Sequence, residues 1–229
     1  MNNKVDVESE MGDQNIREKV EALIGGPLTG PFRTEFSIFA ADDVLIQRDG
    51  DRILIGYLSV DPEPRDFWAD ADGLGELKRF TRSDNPNALL DRLTAKGTPW
   101  LLVERYSHGL DHYSVANTRS YPDRQWDVGL YGVFIPCEEV RDMYRDRVKA
   151  EGEEAARAWL IEDTNETLSE FSKSVNGEVY GAIVETWEIA GGRPVRLGTE
   201  AVWGHIGTDY ALEALSERMP EEASPEPAL

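Results

Sequence analysis

The chain has 229 residues, 40% of them hydrophobic and six of them Trp, enough to bury a core and too apolar for global disorder. Its 24 Lys and Arg face 44 Asp and Glu, a formal charge of −20. That excess repels nucleic acid and anionic membranes, so neither is expected as a direct partner; basic proteins and divalent cations are attracted.

Residues 1–13 are polar and acidic and read as a flexible N-terminus, without the apolar stretch of a secretory signal. Ile16, Val20, Leu23 and Ile24 recur at helical spacing, and Gly25-Gly26-Pro27 stops that helix. Residues 42–61 give the clearest hairpin, two β-branched runs around a type I′ pair at Asp49-Gly50. Residues 74–80 and 86–96 read as short helices, the second capped by Ser83, Asp84 or Asn85.

Strands are expected at "PWLLVERY" and at residues 128–136, with residues 107–127 as a further strand with turns or a functional loop. Two helices follow, at 137–149 and 152–174. Leu160, Thr164, Leu168, Phe171 and Val175 form the inward stripe of the second. Asn176-Gly177 ends it. A second hairpin turns at Gly191-Gly192, Thr208 caps a last helix, and residues 218–229 form a Pro/Glu tail disordered by composition. No run of about 18 apolar residues would span a membrane. The order of elements predicts an α+β fold, a largely antiparallel sheet with packed helices. One domain is expected over 14–217, with 14–97 as an N-terminal subdomain within it.

Few segments carry chemistry. "GGPLTG" lacks the P-loop Lys-Ser/Thr, and no G-x-S-x-G elbow occurs. The single Cys, Cys137, excludes an intramolecular disulfide and a Cys-based zinc site. It opens a helix, whose dipole lowers a thiol pKa, but Glu138 and Glu139 act the other way, and a capping or packing role is expected. His108, Asp111 and His112 are three metal ligands if the chain turns locally. In one extended strand the two histidines would stand ~13 Å apart, too far for one metal, so no metal or cofactor is expected. In residues 120–129, Arg124 or Asp127 would position a ligand, or the segment is a turn pinned by burial of Trp126 and an Arg–Asp pair.

The acidic pattern is the remaining signal. In the helix from 137, Glu138, Asp142 and Asp146 run beside Arg141, Arg145 and Lys149, an ordinary salt-bridged surface. In the next helix Glu151, Glu153, Glu154, Glu162, Asp163, Glu166 and Glu170 are opposed, within that window, by Arg157 alone. Glu162, Glu166 and Glu170 stack one helical turn apart, ~6 Å, facing away from the apolar stripe. Like charges at that spacing cost ~0.2–0.5 kcal/mol per pair. The separation is of the order of that between adjacent phosphates on a nucleic-acid strand, so a Lys/Arg groove built for DNA would accept the row as a competing ligand.

Three blocks add a resemblance: Trp126-Asp127-x-Gly129, Gly177-x-Val179-Tyr180-Gly181 and Trp203-Gly204-x-x-Gly207-x-x-Tyr210. Over about residues 100–217 the chain resembles a family of uncharacterised proteins from bacteriophages, plasmids and integrated mobile elements. The family's "S-G" position reads His108-Gly109 here. The resemblance implies a mobile-element origin and no catalytic residues. Small, very acidic proteins of such elements resemble anti-restriction or anti-CRISPR proteins in role. The expectation is therefore a non-enzymatic DNA mimic, cytoplasmic in a bacterial host, that occupies a basic nucleic-acid-binding surface of a CRISPR effector or restriction enzyme. The seven acids of the second helix are its partner-binding residues. The alternatives are a metal-dependent hydrolase or nuclease using His108, Asp111 and His112, and an accessory phage protein with another basic partner.

Overall fold

The computed structural model describes residues 2–69 and 74–219, with the side chains of all but residues 2–11 and 49. The fold is α+β with two antiparallel four-stranded sheets. In place of a single domain over 14–217, the chain forms two compact units, Met1–Pro64 with Gly177–Leu229, and Arg65–Asn176. A boundary near residue 97 does not appear, because strand pairing joins the first hairpin to the last one across more than a hundred residues.

The first unit carries helix α1 (Asn2–Ile24), strands β1 (Leu45–Asp49), β2 (Arg52–Val60), β7 (Val179–Ala190) and β8 (Arg193–Ile206), and helix α6 (Thr208–Ser216). The sheet order is β1-β2-β7-β8. Residues 65–176 leave the unit after β2 and return at β7, and those two strands are direct neighbours, from Arg52↔Glu188 to Val60↔Tyr180. Period-2 alternation places Ile53, Ile55, Tyr57, Ile183 and Trp187 on one face, packed with Ile16 and Val20 of α1. Leu58, Tyr180, Ala182 and Val184 fill the other, under Ala211 and Leu215 of α6. Both faces are covered, which is why β2 reads as one apolar run.

Several local expectations are corrected. α1 begins at Asn2, so the segment expected to be loose is helical. The first hairpin turns one residue later than expected: Asp49 pairs with Arg52, and Gly50-Asp51 are the central residues. Only Gly50 has positive φ (+62°) there, at the first central position, which a type II′ turn reserves for glycine. At Gly191-Gly192 both φ values are positive, as type I′ requires. The cap of α6 is Gly207 rather than Thr208. Of the acidic tail, Arg218 and Met219 are described, and Met219 is buried against the sheet; residues 220–229 lie outside the described residues.

The second unit holds β3 (Gly75–Arg79), α2 (Pro86–Ala95), β4 (Leu101–His108), β5 (Leu110–Val115), α3 (Arg124–Asp127), β6 (Val128–Pro136), α4 (Glu138–Glu151) and α5 (Glu153–Val175). The sheet order is β3-β6-β4-β5. Residues 74–80, expected to be helical, are strand β3. So short a helix is marginal in water, whereas β6 supplies partners from Gly75↔Pro136 to Arg79↔Gly132. Asn85 caps α2, its side chain accepting from the Ala88 N–H at 3.2 Å. Leu160, Leu168 and Phe171 of α5 pack onto Leu101, Val103, Tyr113 and Val115 of the sheet. Thr164 is buried as expected, but Val175 is exposed, because the helix ends beside it.

β5 is an open edge of this sheet, and α5 closes it. Asn176 accepts from the Asp111 N–H (2.9 Å), Ser172 from Tyr113 (2.9 Å) and Asn165 from Val115 (2.8 Å). Asn176 also donates to the Asp111 carbonyl at 2.8 Å. Four helical residues advance ~6 Å and two strand residues ~6.8 Å, so Ser172 and Asn176 match alternate N–H groups of β5. An edge that would recruit another strand is thereby occupied by side chains.

Candidate functional site

The seven acids expected on the second helix separate into two groups. Glu153, Glu154, Glu162 and Glu166 are exposed, and among the described residues none of them makes an ion pair. Asp163 is half-buried; burial raises its carboxyl pKa above the usual value, and the neighbouring Glu166 raises it further. The other two acids are paired. Glu151, which is the last residue of α4 and not part of α5, receives Arg147 of its own helix at 3.2 Å, and Glu170 receives Lys173 at 2.8 Å. Lys173 lies three residues past Glu170, outside the window from 151 to 170, so the three-residue row is reduced to Glu162 and Glu166, with Asp163 beside them. On α4 the expected basic row pairs in part: Arg145 with Asp142, and Lys149 with Asp146 at 2.7 Å, while Arg141 donates to the Cys137 carbonyl and not to Glu138. The difference between the two helices is one of degree. α4 pairs Asp142, Asp146 and Glu151 with its own cations and, among the described residues, leaves Glu138 and Glu139 without an ion pair, whereas α5 leaves five acids without one.

The histidine segment is not the straight strand that a 13 Å separation assumed. The chain reverses at Gly109, so His108 lies on β4 and His112 on β5, opposite Tyr106. The Tyr106 ring stacks near both histidines (6.2 and 6.1 Å between centroids) and on Tyr121 at 4.6 Å. Asp111 alternates to the opposite face. There it accepts from Arg105 at 3.0 Å and from Ser107 at 2.7 Å. The structure brings the two histidines to one face and does not bring Asp111 to them. Among the described residues, no group of three His, Cys, Asp or Glu is placed to hold a metal ion.

Arg124 and Asp127 also resolve. Glu104 is 3% exposed, and Arg124 binds both of its oxygens, one at 3.0 Å. The Asn117 N–H and Ser114 hydroxyl donate to the same carboxylate. Arg124 also donates to Asn117 Oδ1 and the Arg119 carbonyl. It is a pin for the segment 117–127, with its hydrogen-bonding capacity used internally. Asp127 pairs with His108 at 3.1 Å rather than with an arginine. Trp126 is 80% exposed, so its burial does not hold the turn. Cys137 is the half-buried N-cap residue of α4.

The chain matches no protein-family model, no curated protein and no solved structure.

The glycine-aromatic blocks can be read from the geometry. A Cβ on Gly181 would lie 2.3 Å from the Trp203 ring, so that ring rests flat on the β7 backbone only because residue 181 has no side chain. Gly204 and Gly207 have φ of +93° and +81° at the end of β8. Two of the three blocks are thus packing devices of the first sheet. Glu185, fully buried on β7, accepts from Tyr57 (2.7 Å), Trp187 (2.8 Å) and the Glu35 N–H (2.6 Å), tying the segment before β1 to the sheet. Only the Trp126-Asp127-x-Gly129 block leaves a large side chain unexplained by packing. Its residue types were visible in the sequence, but the exposure of Trp126 was not. The Asn165, Ser172 and Asn176 clamp was also missed, although its i, i+7, i+11 spacing marks one helix face.

Proposed function

We propose that the protein is a non-enzymatic, acidic binding protein of a phage or other mobile element. It inhibits a host defence complex, a CRISPR effector or restriction enzyme, by occupying a basic nucleic-acid-binding surface in the bacterial cytoplasm. The observation that carries the reading is the uncompensated outer face of α5: Glu162 and Glu166 exposed one turn apart, Asp163 between them, and Glu153 and Glu154 extending the charge toward the N-terminus. Fixed carboxylates at ~6 Å spacing meet the geometry of a groove lined for phosphates, and they release counterions as a nucleic acid does. Glu151 and Glu170 contribute less, because each already has a cation.

The test is phage plaquing on hosts with and without defined defence systems, with this protein expressed. Wild type should restore plaquing on a restricting host, and Glu162→Lys with Glu166→Lys and Glu170→Lys should abolish the effect while the circular dichroism spectrum is unchanged. Full inhibition by the triple variant sinks the assignment of the α5 face. Among the described residues no helix is long and apolar enough to cross a membrane.

A further inference from the structure

β3 stops at Arg79, opposite Gly132, while β6 runs on to Val128. The last tie on that side is the Phe80 N–H to the Tyr131 carbonyl, 2.9 Å. Beyond it, residues 128–130 have β4 on one side and, among the described residues, no strand on the other. A cleft of about 330 Å³ opens there, bordered by Arg79, Arg105, Ser107, Trp126, Gly129 and Tyr131. A Cβ placed on Gly129 would meet nothing within 4 Å, so the space over this residue is open.

The chemistry of this cleft runs against the rest of the molecule. In a chain of net charge −20 it presents two guanidinium groups. Arg79 makes no ion pair among the described residues and lies over the Tyr131 ring, 5.5 Å from its centroid. Arg105 gives Nε to Asp111 and Nη2 to Ser107, and among the described residues Nη1 has no acceptor. Asp127 is the carboxylate in the lining, and one of its oxygens is held by His108. At the rim stands Trp126, 80% exposed, an indole that makes no ring contact among the described residues. An exposed aromatic beside one guanidinium group without an ion pair, Arg79, and a second, Arg105, that Asp111 holds through Nε only, is an arrangement that binds a planar ring and an anion together.

We propose that this cleft binds a small planar aromatic ligand carrying an anionic group, of the class of a nucleoside monophosphate or an aromatic carboxylate. The ring stacks on Trp126, and the phosphate or carboxylate takes Arg79 and Arg105 Nη1. The absence of a side chain at Gly129 leaves room for the ring against the strand. The volume lies at the lower end of the range for small-molecule sites, ~300–1,000 Å³, which fits one mononucleotide-sized molecule and not an oligonucleotide. The site is separate from the acidic face of α5 and stands or falls independently of it.

Titration of the full chain with AMP, adenosine, inorganic phosphate and indole-3-acetate, followed by NMR and calorimetry, tests it. Saturable one-to-one binding is expected for AMP, for indole-3-acetate or for both, and the comparison tells which anion the cleft prefers. Adenosine and phosphate alone are expected to bind at least about tenfold more weakly, because each lacks half of the recognition. Trp126→Ala and Arg79→Ala should each weaken binding by about tenfold, a typical loss for one stacked base or one charge-assisted contact. Trp126→Phe should retain part of it. Both side chains are at the surface, so unchanged melting temperatures are expected and separate lost binding from lost fold. No saturable binding of either anionic aromatic probe at millimolar concentration overturns the proposal, as does binding that survives both alanine variants unchanged.

Discussion

Replacing Glu162 and Glu166 together by Gln should make the protein more stable. The two substitutions remove the repulsive pairs Glu162–Glu166 and Glu166–Glu170 at i, i+4 and Asp163–Glu166 at i, i+3. At ~0.2–0.5 kcal/mol each, the three give ~0.6–1.5 kcal/mol. The lower half of that range is expected, because Lys173 already compensates Glu170. Unfolding of the unit 65–176 carries an entropy of about 0.2 kcal/mol per kelvin from the usual per-residue value, so the melting temperature should rise by about 3–4 °C. The gain is electrostatic and lies on the surface. In 1 M salt, where the screening length is ~3 Å, most of it should vanish. Urea melts of wild type and double variant at 20 mM and 1 M salt read both quantities. A loss of stability would refute the reasoning, since these carboxylates would then support the fold and their exposure would need no binding role. A gain of the same size at both salt concentrations would refute it too, because the cause would not be charge.

Two further outcomes follow from the geometry. Ser172→Ala removes the acceptor of the Tyr113 N–H, leaving a buried donor unsatisfied at ~1–3 kcal/mol; faster amide exchange at Tyr113 and a lower urea midpoint are expected, with Ser169→Ala, which breaks no such bond, as the near-neutral control. Asp163 has its folded pKa raised by burial and by Glu166, so its contribution to stability is full below the unfolded value of 3.8 and is lost as pH rises through the folded value. Asp163→Asn should therefore stabilise the protein at pH 7 and change little at pH 3 in denaturant melts; an equal effect at both values would contradict the burial of that carboxyl.

The sequence alone was sufficient for most local structure, because caps, turns and periodicity act over a few residues. Helices α2, α4, α5 and α6, strands β4, β6, β7 and β8 and both hairpins of the first sheet follow from such signals. So did the direction in which Glu162 and Glu166 point, since a helix with one apolar stripe fixes the opposite face. β3 was misread because a five-residue edge strand draws its stability from β6 and not from its own side chains. Pairing of β2 with β7 across the whole second unit left no local trace, so the division into two units was decided by tertiary contacts. The same holds at the candidate sites. His108 and His112 both reach the Tyr106 ring only because the chain reverses at Gly109, Asp111 is kept from them by alternation, and Arg124 is consumed by a buried Glu104 twenty residues away. Trp126 reads in sequence as a core residue, and only the early end of β3 leaves it beside an open cleft. Local rules set which way a side chain leaves the backbone; what waits there to pair with it, or fails to, is set by chain segments far away in sequence.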